Sequence, residues 1–323
     1  MKSVTLLRVF IGICFFILCL IFLGNLFVPS STQPFERRYT FVCPLQWAYT
    51  AAGIQDADRD FSVNTKLVGM EELNAGKQAQ AIHDAVLAKV DGIITAGMED
   101  SEVLQEAIDH AQEQGIPVVL VDNDMPDTKR TCYIGTDNYE AGVMAGEAMY
   151  KATEGNARIG ILVSSLSAPN QQERLAGFEK AIRAYPDMQV AGVLECHSEK
   201  LEVKEKLPQF LEETKIDALY ITEAIATSVV GDVMKERQIE PDRMRVIAFD
   251  NTNEAISYME EGLYQALIVQ APYLQGYLAV QTLNDILDGN GIDEIIHTEC
   301  RYMDRQSSKN QEWSDGGAKW HMY

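Results

Sequence analysis

Several polar side chains stand where apolar runs of the chain stop, and their types suit the recognition of a small, hydroxyl-rich molecule. Gln46 and Trp47 follow the run Tyr39–Cys43, and Asp122, Asn123 and Asp124 follow IPVVLV. Glu223 follows DALYIT, Asp250 and Asn251 follow MRVIAF, and Gln270 ends ALIV. Arg174 opens the run Arg-Leu-Ala-Gly-Phe just inside a helical stretch. A carboxylate can accept two hydroxyl hydrogen bonds at once, a guanidinium donates in a planar fork, and an aromatic face covers the C–H side of a ring. Each residue alone is equally a strand-end turn or a helix cap. Recurrence at the same end of strand after strand favours a ligand site.

The elements that must hold them alternate between two kinds. Tyr39–Cys43, Val63–Val68, DGIIT and IPVVLVD read as strands, with helices predicted over 48–60, 74–89 and 101–114. Gly115 stands at a C-cap position, and TCYIGTDN closes this half. ARIGILV, DMQVAGVLE, DALYIT, MRVIAFD and QALIVQ repeat the scheme. Strands alternating with helices of this length imply right-handed parallel crossovers, so the expected fold class is α/β with two doubly wound parallel sheets. Such sheets bind ligands outside the C-terminal ends of their strands, which here face a cleft between the halves.

The chain of 323 residues is long enough for two domains. With 48 acidic against 27 basic residues its formal net charge is -21, which disfavours binding to nucleic acid. Residues 9–28 (VFIGICFFILCLIFLGNLFV) carry no charge over a membrane-spanning length, and Lys2 and Arg8 precede them. An N-terminal transmembrane helix with the folded part outside the cytoplasm is the expectation. A cleaved signal peptide is the rival. The residues before Cys14 and Cys19 are poor lipidation signals. Cys43, Cys132, Cys196 and Cys300 admit three pairings if two disulfides form, and an inert buried thiol is expected at Cys43. The five histidines are scattered, without metal-ligand spacing. Ser164-Ser165 lacks a nucleophile elbow, and no phosphate loop is present. No enzyme activity, cofactor or metal is expected.

From about Tyr39 to Arg305 the chain resembles the ribose/galactose-type periplasmic binding proteins, whose fold (type 1) is shared with the sensor cores of LacI-type repressors. The matching stretches, in family order, are Gly115–Asp122, Ile134–Asn138, Arg174–Phe178, Ile247–Asp250 and Gln270–Pro272. A repressor would need a DNA-binding segment where the apolar N-terminus stands. The resemblance implies two lobes joined by a three-segment hinge that closes on ligand. Expected boundaries are an anchor or signal at 1–29, a linker at 30–38, and an N-terminal lobe at 39–137 plus 271–298. A C-terminal lobe at 138–270 plus 299–306 and a flexible tail at 307–323 complete the division.

Carried over by position, the pocket includes Asp122, Arg174, Asp250 and Gln270, with Trp47 stacking and Gln46, Asn123 and Glu223 beside them. Asp137, Asn138 and Gln270 belong to the hinge. Asn123 stands where ribose-type members often have arginine, and Glu223 where asparagine is common. The more acidic pocket raises the expectation of an amino-bearing ligand, against the alternative that Glu223 pairs with Arg174. The family implies a sugar or polyol delivered to an ABC-type permease. An uncleaved anchor equally suits an accessory that presents its closed form to a membrane receptor such as a histidine kinase. The soluble portion is expected to be monomeric. Trp313 and Trp320 in the tail are candidates for a partner contact.

Overall fold

The computed structural model describes residues 37–71, 74–98 and 101–309. The predicted anchor at 9–28 and both tail tryptophans lie outside them. Among the described residues no helix is long and apolar enough to cross a membrane.

The first half alternates β1 (Arg38–Pro44), α1 (Ala48–Phe61), β2 (Asn64–Met70), α2 (Ala75–Leu87), β3 (Gly92–Thr95), α3 (Glu102–Glu113), β4 (Val118–Val121) and β5 (Cys132–Thr136). The second half runs α4 (Asn138–Thr153), β6 (Ala157–Val163), α5 (Pro169–Ile182), β7 (Met188–Glu195), α6 (Lys200–Thr214), β8 (Ala218–Ile221), α7 (Ala224–Glu236), β9 (Arg245–Phe249), α8 (Asn253–Glu261) and β10 (Ala266–Val269). Then come α9 (Pro272–Leu287), β11 (Ile295–Thr298) and β12 (Arg301–Asp304). Asn74, Ser101, Asp137 and Thr252 cap their helices by accepting from backbone N–H groups.

Two six-stranded sheets result, ordered β11-β5-β4-β3-β1-β2 and β12-β10-β9-β8-β6-β7. The orders correspond strand for strand, so the lobes are copies of one plan. The central strands β3, β4 and β8 are buried throughout, which explains their continuous apolar runs. The chain passes between sheets after β5, after β10 and between β11 and β12.

The fold departs from an all-parallel pair in one strand. β12 is antiparallel to β10, whereas β11 is parallel to β5. Only Glu299 and Cys300 separate the two strands. β11 runs toward the cleft, so a chain that starts β12 at once must run back from it. The sequence reading marks neither strand, because both are short and largely exposed edges.

Helices α4 and α9 each leave the sheet that precedes them and pack in the other lobe, α4 on α5 and α9 on α1. Both contacts are closed by reciprocal glycines. A Cβ on Gly177 would lie 2.0 Å from the Tyr139 carbonyl oxygen, and one on Gly142 would lie 2.2 Å from that of Arg174. The other lobe repeats the arrangement with Gly53 against Tyr273 (1.9 Å) and Gly276 against Thr50 (2.1 Å). Helix α5, and Arg174 on it, is thereby held against the helix that follows the first crossing.

Cys43, Cys132, Cys196 and Cys300 are all free thiols, the first three buried. Burial pushes each up to about 12, so none is a ready thiolate.

Candidate functional site

Asp122 and Asp250 occupy equivalent places, one residue beyond β4 and β9. Both have left-handed backbones, with φ 68° and 70°. Both donate their N–H across to the next strand, Asp122 to the Ile134 carbonyl (3.1 Å) and Asp250 to that of Ile268 (2.8 Å). That turn lifts each carboxylate out of the sheet at its C-terminal edge, and an asparagine follows each.

Arg174, 3% exposed, draws together three parts of the C-terminal lobe. Its Nε donates to Asn138 Oδ1 (2.9 Å) and its Nη1 to the Thr222 carbonyl (2.6 Å). The guanidinium lies 3.7 Å from the Phe249 ring centroid, a stacked cation–π contact. Two N–H vectors and one face are thus fixed, with the remaining donors of the fork uncommitted by these contacts. Burial raises the carboxyls of Asp122, Glu223 and Asp250, and the Arg174 charge opposes the rise at each, so all three lie within its electrostatic reach.

Asp250 is 2% exposed. Burial pushes its carboxyl up to about 7, with Asp122 and Glu223 adding to the rise; Arg174 and a hydrogen bond from Gln270 oppose it. Oδ2 accepts from Gln270 Nε2 at 3.2 Å. Among the described residues, buried Oδ1 has no hydrogen-bond partner, and neither has Asn251 Oδ1 beside it. Gln270 in turn accepts from Thr136 Oγ1 at 3.0 Å. A chain of hydrogen bonds therefore runs from the end of β5, through the second crossing, to the carboxylate at the end of β9.

Asp122 is half-buried, and Asn123 Nδ2 donates to its Oδ2 at 2.9 Å. Burial raises its carboxyl and Arg174 lowers it. Gln46 is exposed. Trp47 is half-buried at the start of α1, its ring 6.5 Å from Phe41 and packed against the core of its lobe. Asp137 caps α4 through Glu140 N–H. Asn138, read from sequence as a hinge residue, is buried and orients Arg174.

Glu223 serves as a helix cap. Its carboxylate accepts from the Ile225 N–H (2.7 Å) and the Ala226 N–H (2.5 Å), capping α7, and Cys196 Sγ lies 3.7 Å away. Among the described residues it makes no ion pair with Arg174. A helix N-terminus that stabilises a carboxylate explains the residue better than a bound cation does. Thr136, Thr222 and Gln171 escaped the sequence reading, and Asn251 was marked there only as a strand-end residue. Thr222 Oγ1 donates to Gln171 Oε1 and to the Leu162 carbonyl, fixing the end of β8 under Arg174. The signal was present for Thr222, one step from a residue that was read.

Comparison with known proteins agrees with this architecture. A model described as the periplasmic binding protein domain matches residues 42–291. The chain belongs to this family. Within it, the ribose import binding protein RbsB of Bacillus subtilis is 26% identical over 236 residues, covering 69% of this chain and 72% of that one. GanP, a glucose-galactose binding protein from Geobacillus stearothermophilus, superposes with a TM-score of 0.79 at 31% identity, over 85% of this chain and 100% of GanP. A chain of the XylFII–LytSN complex superposes with a TM-score of 0.77 at 26% identity, over 85% of this chain and 100% of that one. The family's binding domains work outside the cytoplasm.

Proposed function

We propose that this periplasmic binding protein domain takes a neutral sugar between its lobes and delivers it to an ABC-type permease. The observation that carries the reading is Asp250 Oδ1, a buried acceptor without a partner among the described residues, beside the equally unpartnered Asn251 Oδ1. Leaving such an atom unpaired costs ~1–3 kcal/mol, which a ligand hydroxyl would recover. Asp250 and Asp122 then accept from hydroxyl groups reaching each lobe, and the free donors of Arg174 reach hydroxyl or ring oxygens. Gln270, bonded to Thr136 and Asp250, links ligand contact to the relative position of the lobes. Trp47 and Gln46 form the rim beyond β1, and Asn123 orients Asp122.

Glu223 already serves as a helix cap, and with that acid engaged a neutral sugar whose hydroxyls reach Asp122 and Asp250 is favoured. Names of relatives such as the ribose import binding protein favour uptake over sensing, and the similarity to a chain of the XylFII–LytSN complex keeps presentation to a membrane partner as the second reading. An N-terminal anchor at 9–28 suits either role.

The test is a thermal-shift series on the full chain in detergent micelles with D-ribose, D-galactose, D-glucose and D-glucosamine. A neutral sugar is expected to raise the melting temperature in proportion to the logarithm of its concentration. A response to the amino sugar alone would refute the reading.

A further inference from the structure

The two lobes differ at one matched place on the outer flank of their sheets. In the C-terminal lobe, β6 pairs Gly160 with Gly192 of β7, and Phe210 of α6 lies over both glycines; Cβ atoms there would meet its ring at 2.8 and 3.1 Å. The strand registers identify the counterparts. Tyr39 and Ile159 both pair with the first residue of the next strand inward, so Thr40 matches Gly160 and Lys66, its partner on β2, matches Gly192. Helix α2, the counterpart of α6, carries no phenylalanine, tyrosine or tryptophan. Helix α2 turns Ala81, Ala85 and Ala88 toward this place, and an open groove of about 530 Å³ runs between the helix and the face of β1 and β2. β2 ends its sheet, with β1 as its single neighbour.

The charges along the groove run against those of the chain. Arg38, Lys66 and Lys77 line it with a single acid, Asp84, in a protein of formal net charge -21. The Arg38 guanidinium donates to the Lys89 carbonyl. Among the described residues neither lysine ammonium belongs to an ion pair. A second copy of the chain is a poor occupant, because pairing two β2 edges would bring Lys66 of each copy to one seam.

We propose that this groove is a docking site for an acidic segment of a partner protein. The segment lays an apolar side chain into the groove between α2 and the β1–β2 face, and sets carboxylates against Lys66 and Lys77. The apolar side chain supplies the buried anchor, and the carboxylates set orientation and select against the basic or neutral competitor. The site lies on the flank of the N-terminal lobe, away from the strand ends that carry Asp122 and Asp250, so occupancy by the partner and by the sugar are separate events.

Panning the full chain in detergent micelles against a displayed library of random octapeptides tests the proposal. The expected winners combine two or more Asp or Glu with Phe, Trp or Leu. Their affinity is expected to fall at least ~10-fold in the Lys66→Glu/Lys77→Glu variant, as the loss of two charge contacts implies. Ala81→Phe keeps every charge and fills the groove from within; it is expected to abolish peptide binding with the melting temperature and the sugar response unchanged. Enrichment of neutral or basic peptides, no enrichment, or equal binding to wild type and to the charge-reversed variant would overturn the proposal. So would a chain that ignores the acidic peptides but binds phosphatidylglycerol vesicles through the same lysines.

Discussion

The same dipeptide, Asp-Asn, stands at the same turn of both lobes and ends in two different states. Asp122 and Asp250 share the left-handed backbone and the N–H bond to the neighbouring strand. Asp122 is half-buried, with one oxygen engaged by Asn123. Asp250 is sealed, faces Gln270 and Arg174, and keeps one oxygen unpaired. Local sequence sets the turn, whereas burial sets the chemistry. On the proposed function, Asp250 in the C-terminal lobe is the stronger sugar contact and Asp122 in the N-terminal lobe the weaker.

The largest effect that would break this asymmetry concerns affinity. Asp250→Ala should weaken sugar binding by about 3 kcal/mol, roughly 100-fold, as expected for removing a buried charged acceptor. Stability at pH 8 should hold or rise, because the variant loses a desolvated charge. Calorimetric titration and a melting curve on the same sample separate the two. Asp122→Ala should cost ~1 kcal/mol, and equal losses in both variants would erase the distinction between the lobes.

Gly177→Ala tests the helix contact that holds Arg174, since its Cβ would meet the Tyr139 carbonyl at 2.0 Å. Overpacking there should destabilise by ~1–3 kcal/mol and weaken sugar binding together; an unaltered melting temperature would show that α4 and α5 can part at no cost.

Acidity provides a third test. The Asp250 carboxyl lies near 7 in the folded chain, above its unfolded value of about 3.9. Between those values the native state binds more protons than the unfolded state, so the ligand-free protein should lose stability as pH rises from about 4 to 7, by on the order of 1–3 kcal/mol. Asp250→Asn should flatten that slope. A hydroxyl donor on Oδ1 favours the ionised form, so sugar binding at pH 7 should release a proton, visible as a dependence of the binding enthalpy on the buffer.

The smallest effect concerns Glu223. Its alanine variant should lose ~1 kcal/mol of stability through the α7 cap and leave sugar affinity nearly intact. A large affinity loss would return Glu223 to the pocket.

The strand and helix succession was legible because buried parallel strands write continuous apolar runs and their helices write an amphipathic repeat. Asp122, Arg174, Asp250 and Gln270 were legible as polar residues at the ends of such runs, and the structure brings them into one electrostatic neighbourhood. β11 and β12 were not, since four-residue edge strands carry no periodicity that separates them from loop. The capping role of Glu223 was not legible, because an acid after a strand and an acid before a helix are the same residue in a βα turn, and it shows only in the N–H contacts of Ile225 and Ala226. Asn138 gave no sign of orienting Arg174, a contact made across 36 residues.

Titration calorimetry of the full chain with D-ribose and D-galactose, beside Asp250→Ala, tests the central claim most directly. The account predicts saturable one-to-one binding of at least one of these sugars to the wild type, with proton release near pH 7, and a roughly 100-fold loss in the variant. Binding of neither sugar, or the same affinity in wild type and variant, would contradict it.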